Sequence, residues 1–405
     1  MASHRVESFV GCVHALKQPD LRQALYDESA ILMAKVLVNL HGAEHRARRN
    51  QEATVFRKDV FLHYEKAVLP QTLAETLQPF RDAGAGDLVD IGYRILLNLT
   101  IDFTGIDRPE RTAEETGHLL GLLREFSLAP ALGQSRLEDT GPLKERIRVA
   151  IEAFDSGYFT DSLNRRRALR AAVEAGTLAA DALPNDVLMA LVLAEPELGM
   201  SREEMLKEAV FYVLAGAHTS IHTLTHALHE LFVWLDAHPE DRARLRTDPF
   251  FIQQCVFESL RLHPSSPVAK RRALGPVVLE NGTANTDDEV SVDLHAANRN
   301  PELFGADADR FNPHRAVPNG QFPYGLSMGY GMHACLGRNL AVGLVPKANS
   351  TMADHQYGTI PLIVEALLRC GVMPDAARPP HKDETVTRIT WASYPVLFRP
   401  EAALL

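Results

Sequence analysis

From Ser201 the chain runs for 38 residues, to His238, without a proline. Ser201 and Glu204 form the capping pair that opens a helix, and residues 201–236 read as one helix roughly 50 Å long. An element of that length has to cross the whole molecule, so the remaining segments must pack around it. With 405 residues, 46% of them hydrophobic, the chain can bury a large core. It shows no Gly/Ser-rich or charged linker and no internal repeat. The expectation is one large domain, 1–405, mainly α with small β-sheets. Residues 60–193 are helical in pattern, with breaks near 83–86, 104–108, 129–133 and 182–185. Residues 6–16 suit strands, 20–27 a short helix, and 385–398 alternate like a hairpin.

The middle of the long helix reads Ala215-Gly216-Ala217-His218-Thr219-Ser220. A Gly beside a Thr can open a buried helix locally, because the threonine hydroxyl competes for its carbonyls. The plainer reading is a small-residue packing contact. His218, His222, His226 and His229 follow at spacings that suggest a zinc stripe. His218 and His226 would lie about 12 Å apart along the axis, so one ion could take only two of them. No cysteine or second histidine pair completes that set.

A second constraint is Gly329-Tyr330-Gly331-Met332-His333-Ala334-Cys335-Leu336-Gly337. Glycines let this loop turn at positive φ and approach a flat ligand. A cysteine ahead of a helical run (336–344) stands where free N–H groups favour thiolate, the form an iron centre requires. Read alone, the cysteine is equally a buried apolar filler. His45 and Arg49, four apart on a helix opened by Gly42, share a face that by itself reads as a solvated basic surface. Glu258 and Arg261, three apart, are by themselves a commonplace surface pair.

Composition narrows the function. The net charge is −10 with scattered basic residues, which argues against nucleic acid. Four cysteines, Cys12, Cys255, Cys335 and Cys370, are widely spaced, as in a reducing compartment. The apolar run 31–40 contains Lys35 and is too short to span a bilayer, and the start lacks a signal-peptide core. A soluble cytoplasmic protein, with no membrane partner, is expected.

The glycine-flanked loop resembles the cysteine-ligand loop of the cytochrome P-450 family, the haem-thiolate monooxygenases of soluble bacterial type. Gly329, Gly331, His333, Cys335 and Gly337 fall where that signature has them, while Met328 stands where an aromatic residue is usual. The resemblance extends from about Gly42 to Val396. It implies the cytochrome P-450 fold, with haem b held between the long central helix and the Cys335 loop. It implies Cys335 as iron ligand, and His45, Arg49, Arg271 and His333 around the cofactor, with Arg272 as an alternate register for Arg271. Thr219 matches the family's oxygen-binding hydroxyl. His218 replaces its usual acid, as a proton relay or as simple packing. Glu258, Arg261 and Arg310 resemble the buried Glu-Arg-Arg network. Leu214, Ala215, Val268, Ala269 and Trp391 would face the substrate, and residues near 125–145 would form a lid.

After Cys335 the family's helix is broken here at Pro346, and 349–359 is turn-like before a helix resumes near 362. This insertion reads as a tolerated loop or as an altered docking surface. The resemblance implies insertion of one oxygen atom from O2 into an apolar or aromatic small molecule, by hydroxylation or oxidative demethylation. Electrons would come from a ferredoxin or flavodoxin with its NAD(P)H reductase. Two alternatives stand beside it: a haem-thiolate peroxygenase or non-oxygenating haem enzyme, and a non-catalytic haem or metal-binding protein.

Overall fold

The computed structural model describes residues 2–134, 138–386 and 388–404. It is mainly helical with small sheets. The helices that build the site are α1 (Gly42–Glu52), α2 (Leu88–Thr104), α3 (Ala113–Phe126), α4 (Arg202–Ala237), α5 (Phe251–Leu262), α6 (Arg338–Val342) and α7 (Thr359–Arg369). The strands of the two larger sheets are β1 (Ser3–Val6), β2 (Leu21–Gln23), β3 (Ala85–Asp87), β4 (Val268–Ala273), β5 (Glu289–Asp293), β6 (Val372–Pro374) and β7 (Pro395–Phe398).

The long helix starts as its sequence dictates. The Ser201 hydroxyl accepts from Glu204 N–H at 3.2 Å, and the Glu204 carboxylate accepts from Ser201 N–H at 2.8 Å. It stops at His238, just before Pro239. Between those ends α4 packs against α2, α5 and α7. Glycines set how near α2 can come. A Cβ on Gly216 would stand 2.5 Å from Thr100 Cγ2, and one on Gly92 would stand 3.3 Å from Leu224 Cδ2. The small-residue reading of Gly216 therefore holds. The local opening expected beside Thr219 is not seen: α4 is continuous, and the Thr219 hydroxyl donates to Ala215 O at 2.8 Å.

One sheet has the order β1-β5-β4-β2, with β1 parallel to β5 and the other pairs antiparallel. Along β4 the buried positions are Ala269, Arg271 and Ala273. Strand alternation thus sends Arg271 inward and Arg272 to the opposite face, which resolves the register. A second sheet has the order β3-β7-β6.

Two local expectations change. Ser3–Val6 and Leu21–Gln23 are strands while Phe9–Lys17 is a helix, the reverse of the sequence reading at the start of the chain. Ser8 caps that helix by accepting from Gly11 N–H at 2.9 Å, a signal hidden among alternating apolar residues. Near the C-terminus, Trp391–Ser393 pairs with His381–Lys382 whereas β7 joins β3 and β6, so the two segments do not form one hairpin. Of the expected lid at 125–145, residues 135–137 lie outside the described residues.

The break after Cys335 is a closed loop. Helix α6 ends at Gly343, where φ is 75°, before Pro346 is reached. A Cβ on Gly343 would stand 2.3 Å from Gln356 O, so the two ends of the insertion touch and only glycine fits there. Gln253, on α5, clasps both ends: its amide donates to Val342 O at 2.8 Å, Leu344 O at 3.1 Å and Tyr357 O at 3.0 Å. Glu65 accepts from Tyr357 N–H at 3.1 Å and Gly358 N–H at 2.8 Å. Replacing Gln253 with leucine strips buried carbonyls of their donor and should destabilise the protein by about 2–4 kcal/mol. Urea denaturation measures it, and an unchanged midpoint would show that water satisfies those carbonyls equally well.

Candidate active site

The cysteine loop is a set of tight turns closed by its own backbone. Gly329 N–H donates to Leu326 O at 2.8 Å, and Cys335 N–H to Met328 O at 2.8 Å. At Gly331, where φ is 67°, a Cβ would stand 2.5 Å from Leu16 O, so both conformation and space demand glycine. The loop is tied to the core through Asn298. That residue accepts from Leu326 N–H at 2.7 Å and donates to the Ser327 hydroxyl at 2.8 Å, which itself donates to Leu260 O at 2.6 Å.

Cys335 and Thr219 come from opposite sides and line one internal cavity of about 340 Å³. Each is solvent-accessible although protein surrounds it, because its free surface faces this cavity. Burial pushes the Cys335 thiol up, only partly offset by the Gly337 N–H and by Arg49 and Arg338. Desolvation therefore outweighs the thiolate bias expected from the following helix as long as no metal is bound. Met328 lines the cavity, as does Phe56, which supplies an aromatic ring on the cysteine side that sequence reading missed.

His45, Arg49, Arg271 and His333 meet at the rim of the same cavity. The two imidazoles lie 4.5 Å apart, and the Nε2 of each is buried without a partner. Burial drops His45 to about 4 and His333 to about 2, with the neighbouring cations adding to the effect. Burial also lowers Arg271, to about 10. Arg49 donates to Ala334 O at 2.5 Å, and Arg271 to Gln23 Oε1 at 2.7 Å. Neither guanidinium has a carboxylate partner among the described residues. Two unpartnered ring nitrogens and two unbalanced cations around a space beside a cysteine fit the two propionates of a haem.

The buried ionic network differs from the expected one in its third member. Arg261 is fully buried and donates to Glu258 at 2.8 and 2.7 Å, to Asn298 O and Ala308 O at 2.6 Å each, and to Arg310 O at 3.3 Å. Arg310 gives only that carbonyl, and its side chain is exposed. Arg315, turned back by a bend whose N–H reaches Asn312 O, holds Glu258 Oε1 at 2.9 Å. The network is Glu258, Arg261 and Arg315. Sequence reading also missed a second buried pair, Arg48 with Glu208 at 2.8 Å, beside Tyr212, whose hydroxyl donates to Glu52 at 2.5 Å.

On the distal side, Ala215 and Ala269 line the cavity; Leu214, Val268 and Trp391 do not. Leu214 falls on another face of α4, and Trp391 packs between His226, His229 and Tyr394. The cavity walls come instead from α2, through Leu96, Leu99 and Thr100, and from Tyr26 and Phe211. His218 also turns away from the cavity. Its Nδ1 meets Tyr93 Oη at 3.3 Å, and its Nε2 faces His222 Nε2 at 3.3 Å and the Arg388 guanidinium. Burial and Arg388 hold it well below the usual histidine range, so it stays neutral at physiological pH. The titrating relay expected of it does not match this placement. No cluster of three metal-ligating side chains occurs among the described residues, which leaves the histidine stripe as packing. His226 stacks on His263 at 4.3 Å and pairs through Nε2 with Ile389 O at 3.1 Å.

This constellation defines a haem-thiolate class of site. A family model described as Cytochrome P450 matches residues 242–343. Cyclooctat-9-en-7-ol 5-monooxygenase of Streptomyces melanosporofaciens is 26% identical over 82% of this chain and 74% of its own. Pulcherriminic acid synthase of Bacillus subtilis (strain 168) is 23% identical over 81% of this chain and 76% of its own. The solved structure of CalO2 superposes with a TM-score of 0.74 at 22% identity, over 98% of this chain and 90% of that one. The chain belongs to the cytochrome P450 family and is a monooxygenase of that family. Membership implies a haem-thiolate cofactor, a small-molecule substrate, O2 and a redox partner. No described helix is long and apolar enough to cross a membrane.

Two outcomes follow from the buried charges. Arg315→Ala removes one of the two buried guanidiniums on Glu258 together with the donors to Asp307, and should destabilise by about 3–5 kcal/mol, whereas Arg310→Ala should stay within about 0.5 kcal/mol. Equal urea midpoints for the two variants would restore Arg310 to the network. His226 drops to about 3, chiefly through burial. Its ring is neutral when folded but takes a proton below about 6.5 when unfolded, so the unfolded state binds more protons. That contribution to stability is complete above pH 6.5 and declines as pH falls towards 3. His226→Phe should flatten the stability–pH slope between pH 6 and 4 by up to about 1.4 kcal/mol per unit. An unaltered slope would mean that water reaches the ring.

Proposed function

We propose that this protein inserts one oxygen atom from O2 into a C–H bond of a largely apolar or aromatic small molecule, using haem b and two electrons from a ferredoxin or flavodoxin. The single observation behind this reading is that Cys335 and Thr219 face each other across one cavity ringed by His45, Arg49, Arg271 and His333. When bound, haem supplies the redox chemistry that activates O2, which no side chain here can provide. Cys335, losing its proton, would ligate the iron and lend it electron density. His45, Arg49, His333 and Arg271 would hold the propionates with charge-assisted hydrogen bonds.

The chain's own part in catalysis lies mostly at Thr219 and Ser265. The Thr219 hydroxyl gives its hydrogen to Ala215 O, which leaves its lone pairs towards the cavity. The Ser265 hydroxyl donates to Thr219 O at 3.1 Å and approaches Thr223 Oγ1 at 3.4 Å. Thr223 Oγ1 also donates to Thr219 O at 3.1 Å, so these two hydroxyls fix the carbonyl of Thr219 and leave its own hydroxyl to serve the oxygen site, a role that does without His218. Leu96, Leu99 and Phe103 keep the substrate end apolar and exclude water. The overall step consumes O2, two electrons and two protons, and yields the hydroxylated product and water. The likeness to a relative named cyclooctat-9-en-7-ol 5-monooxygenase supports a monooxygenation of this kind.

A second reading, oxygen delivered from peroxide, draws on one observation: no Asp or Glu lines the cavity among the described residues. Turnover with ferredoxin and NAD(P)H against turnover with hydrogen peroxide separates the two. The primary test is optical. The reduced protein with carbon monoxide should show the red-shifted Soret band of thiolate ligation, and Cys335→Ala should lose both that band and product formation. A variant that kept the band would remove Cys335 from the iron.

A further inference from the structure

The cavity and its distal annex hold more positive charge than a haem can balance. Arg49, Arg271 and Arg388 are each enclosed by protein, and none has a carboxylate within ion-pair distance among the described residues. The two propionates account for Arg49 and Arg271, which sit at the rim with His45 and His333. Arg388 is the surplus. Its guanidinium donates to Ser265 O at 3.2 Å and to His218 Nε2, both neutral acceptors. Asp383, the carboxylate acting on it electrostatically, instead accepts from Thr385 N–H at 2.9 Å and from the Thr385 hydroxyl at 2.6 Å.

The groups around Arg388 cannot supply the missing anion. His218 and His222 are neutral, held down by burial, and the phenols of Tyr26 and Tyr93 are pushed up by burial. Arg388 does not itself line the cavity but stands directly behind its wall, bonded to Ser265, which lines it together with Ser266 and Tyr26. Arg388 itself retains part of its accessible surface in spite of its depth. An enclosed, unpaired guanidinium is costly to keep unless an anion arrives, and a bound monoanion would bring this part of the protein to neutrality.

We infer that Arg388 is the recognition residue for a substrate carboxylate, received at the wall formed by Ser265, Ser266 and Tyr26. A carboxylate suits this place better than a phosphate or sulfate ester. The local excess is one positive charge, and the planar guanidinium matches a planar two-oxygen partner. The substrate class is therefore a monocarboxylic acid with an apolar or aromatic body lying over Cys335. Because Ser265 also bonds Thr219 O, the acid group would be bound close to the oxygen site, which favours compact acids. This inference deepens the monooxygenase reading and rests on it for the identity of the pocket.

The test uses the haem-loaded protein and a series of monocarboxylates from benzoate and cinnamate to octanoate and hexadecanoate. Each is paired with its neutral primary amide. Binding is measured by calorimetry and by displacement of the iron-bound water, so one readout is independent of turnover. The expected result is that carboxylates bind roughly 10- to 100-fold more tightly than their amides. Arg388→Gln should abolish that preference and Arg388→Lys should retain part of it. Haem-loss rate, timed by transfer to an acceptor protein, should be unchanged in both variants. Amides binding as well as acids, no acid in the series binding, or Arg388→Gln retaining the preference would each overturn the inference. So would accelerated haem loss in Arg388→Gln, which would make the residue a propionate anchor. The carbon monoxide band, recorded on the same samples, reports separately on the monooxygenase reading, since its absence would defeat that reading whatever the acids do.

Discussion

One buried guanidinium organises the cysteine side of the molecule. Arg261 is enclosed in the core, and its donors go to Glu258 and to three backbone carbonyls, those of Asn298, Ala308 and Arg310. Burying such a charge without partners would cost several kcal/mol, so the chain segments that supply those carbonyls are held wherever Arg261 stands. The tie continues through Asn298, whose side chain donates to Arg261 O and holds Leu326 and Ser327. From there the chain enters Gly329 and the turns that present Cys335 to the cavity. A helix, the connecting segment 298–310 and the ligand loop thus share one set of hydrogen bonds, in which loosening one member unsatisfies the next.

How far the sequence discloses this depends on whether a signal is local. The capping pair Ser201/Glu204, the absence of proline and the loop glycines Gly329 and Gly331 each act within a few residues, and each corresponds to what the fold displays, whereas Gly337 has a φ of −79° that any residue could adopt. Arg271 was legible only as one of two registers: alternation lets one of two adjacent arginines face inward, and it takes the burial along β4 to say which. Arg315 was not. Its proximity to Glu258 depends on a bend at Asn312 that reverses the chain, and the nearby Asp309-Arg310-Phe311 presents an equally plausible arginine. Trp391 and Leu214 failed for a related reason: the face a residue presents is fixed by which helices approach, and that is a long-range property. The clasp of Gln253 around the insertion has no sequence signature, since a glutamine in a helix carries no mark of what its amide will reach.

The contrast between His218 and Thr219 shows how one residue's rotation on a helix separates two environments. Successive residues on α4 differ by about 100° in direction, so Thr219 opens on the cavity while His218 faces α2 and Arg388. A carboxylate at position 218 would meet Arg388 directly and neutralise it. The imidazole accepts a hydrogen bond from Arg388 but brings no charge. The replacement therefore leaves the cation available in a region that is otherwise neutral.

That arrangement gives the two ends of the site different electrostatic jobs. On the cysteine side, the cations and neutral imidazoles would be matched to the fixed charges of the haem propionates. At the distal wall, Arg388 is matched to nothing the protein carries. Apolar walls from α2 can bind the body of a ligand with little selectivity, because one methylene more or less changes affinity only modestly. A desolvated guanidinium discriminates far more strongly, since a ligand lacking the complementary group leaves the charge unpaired. On the inference drawn for Arg388, shape would fix which carbon lies at the oxygen site, and charge would decide which molecules enter.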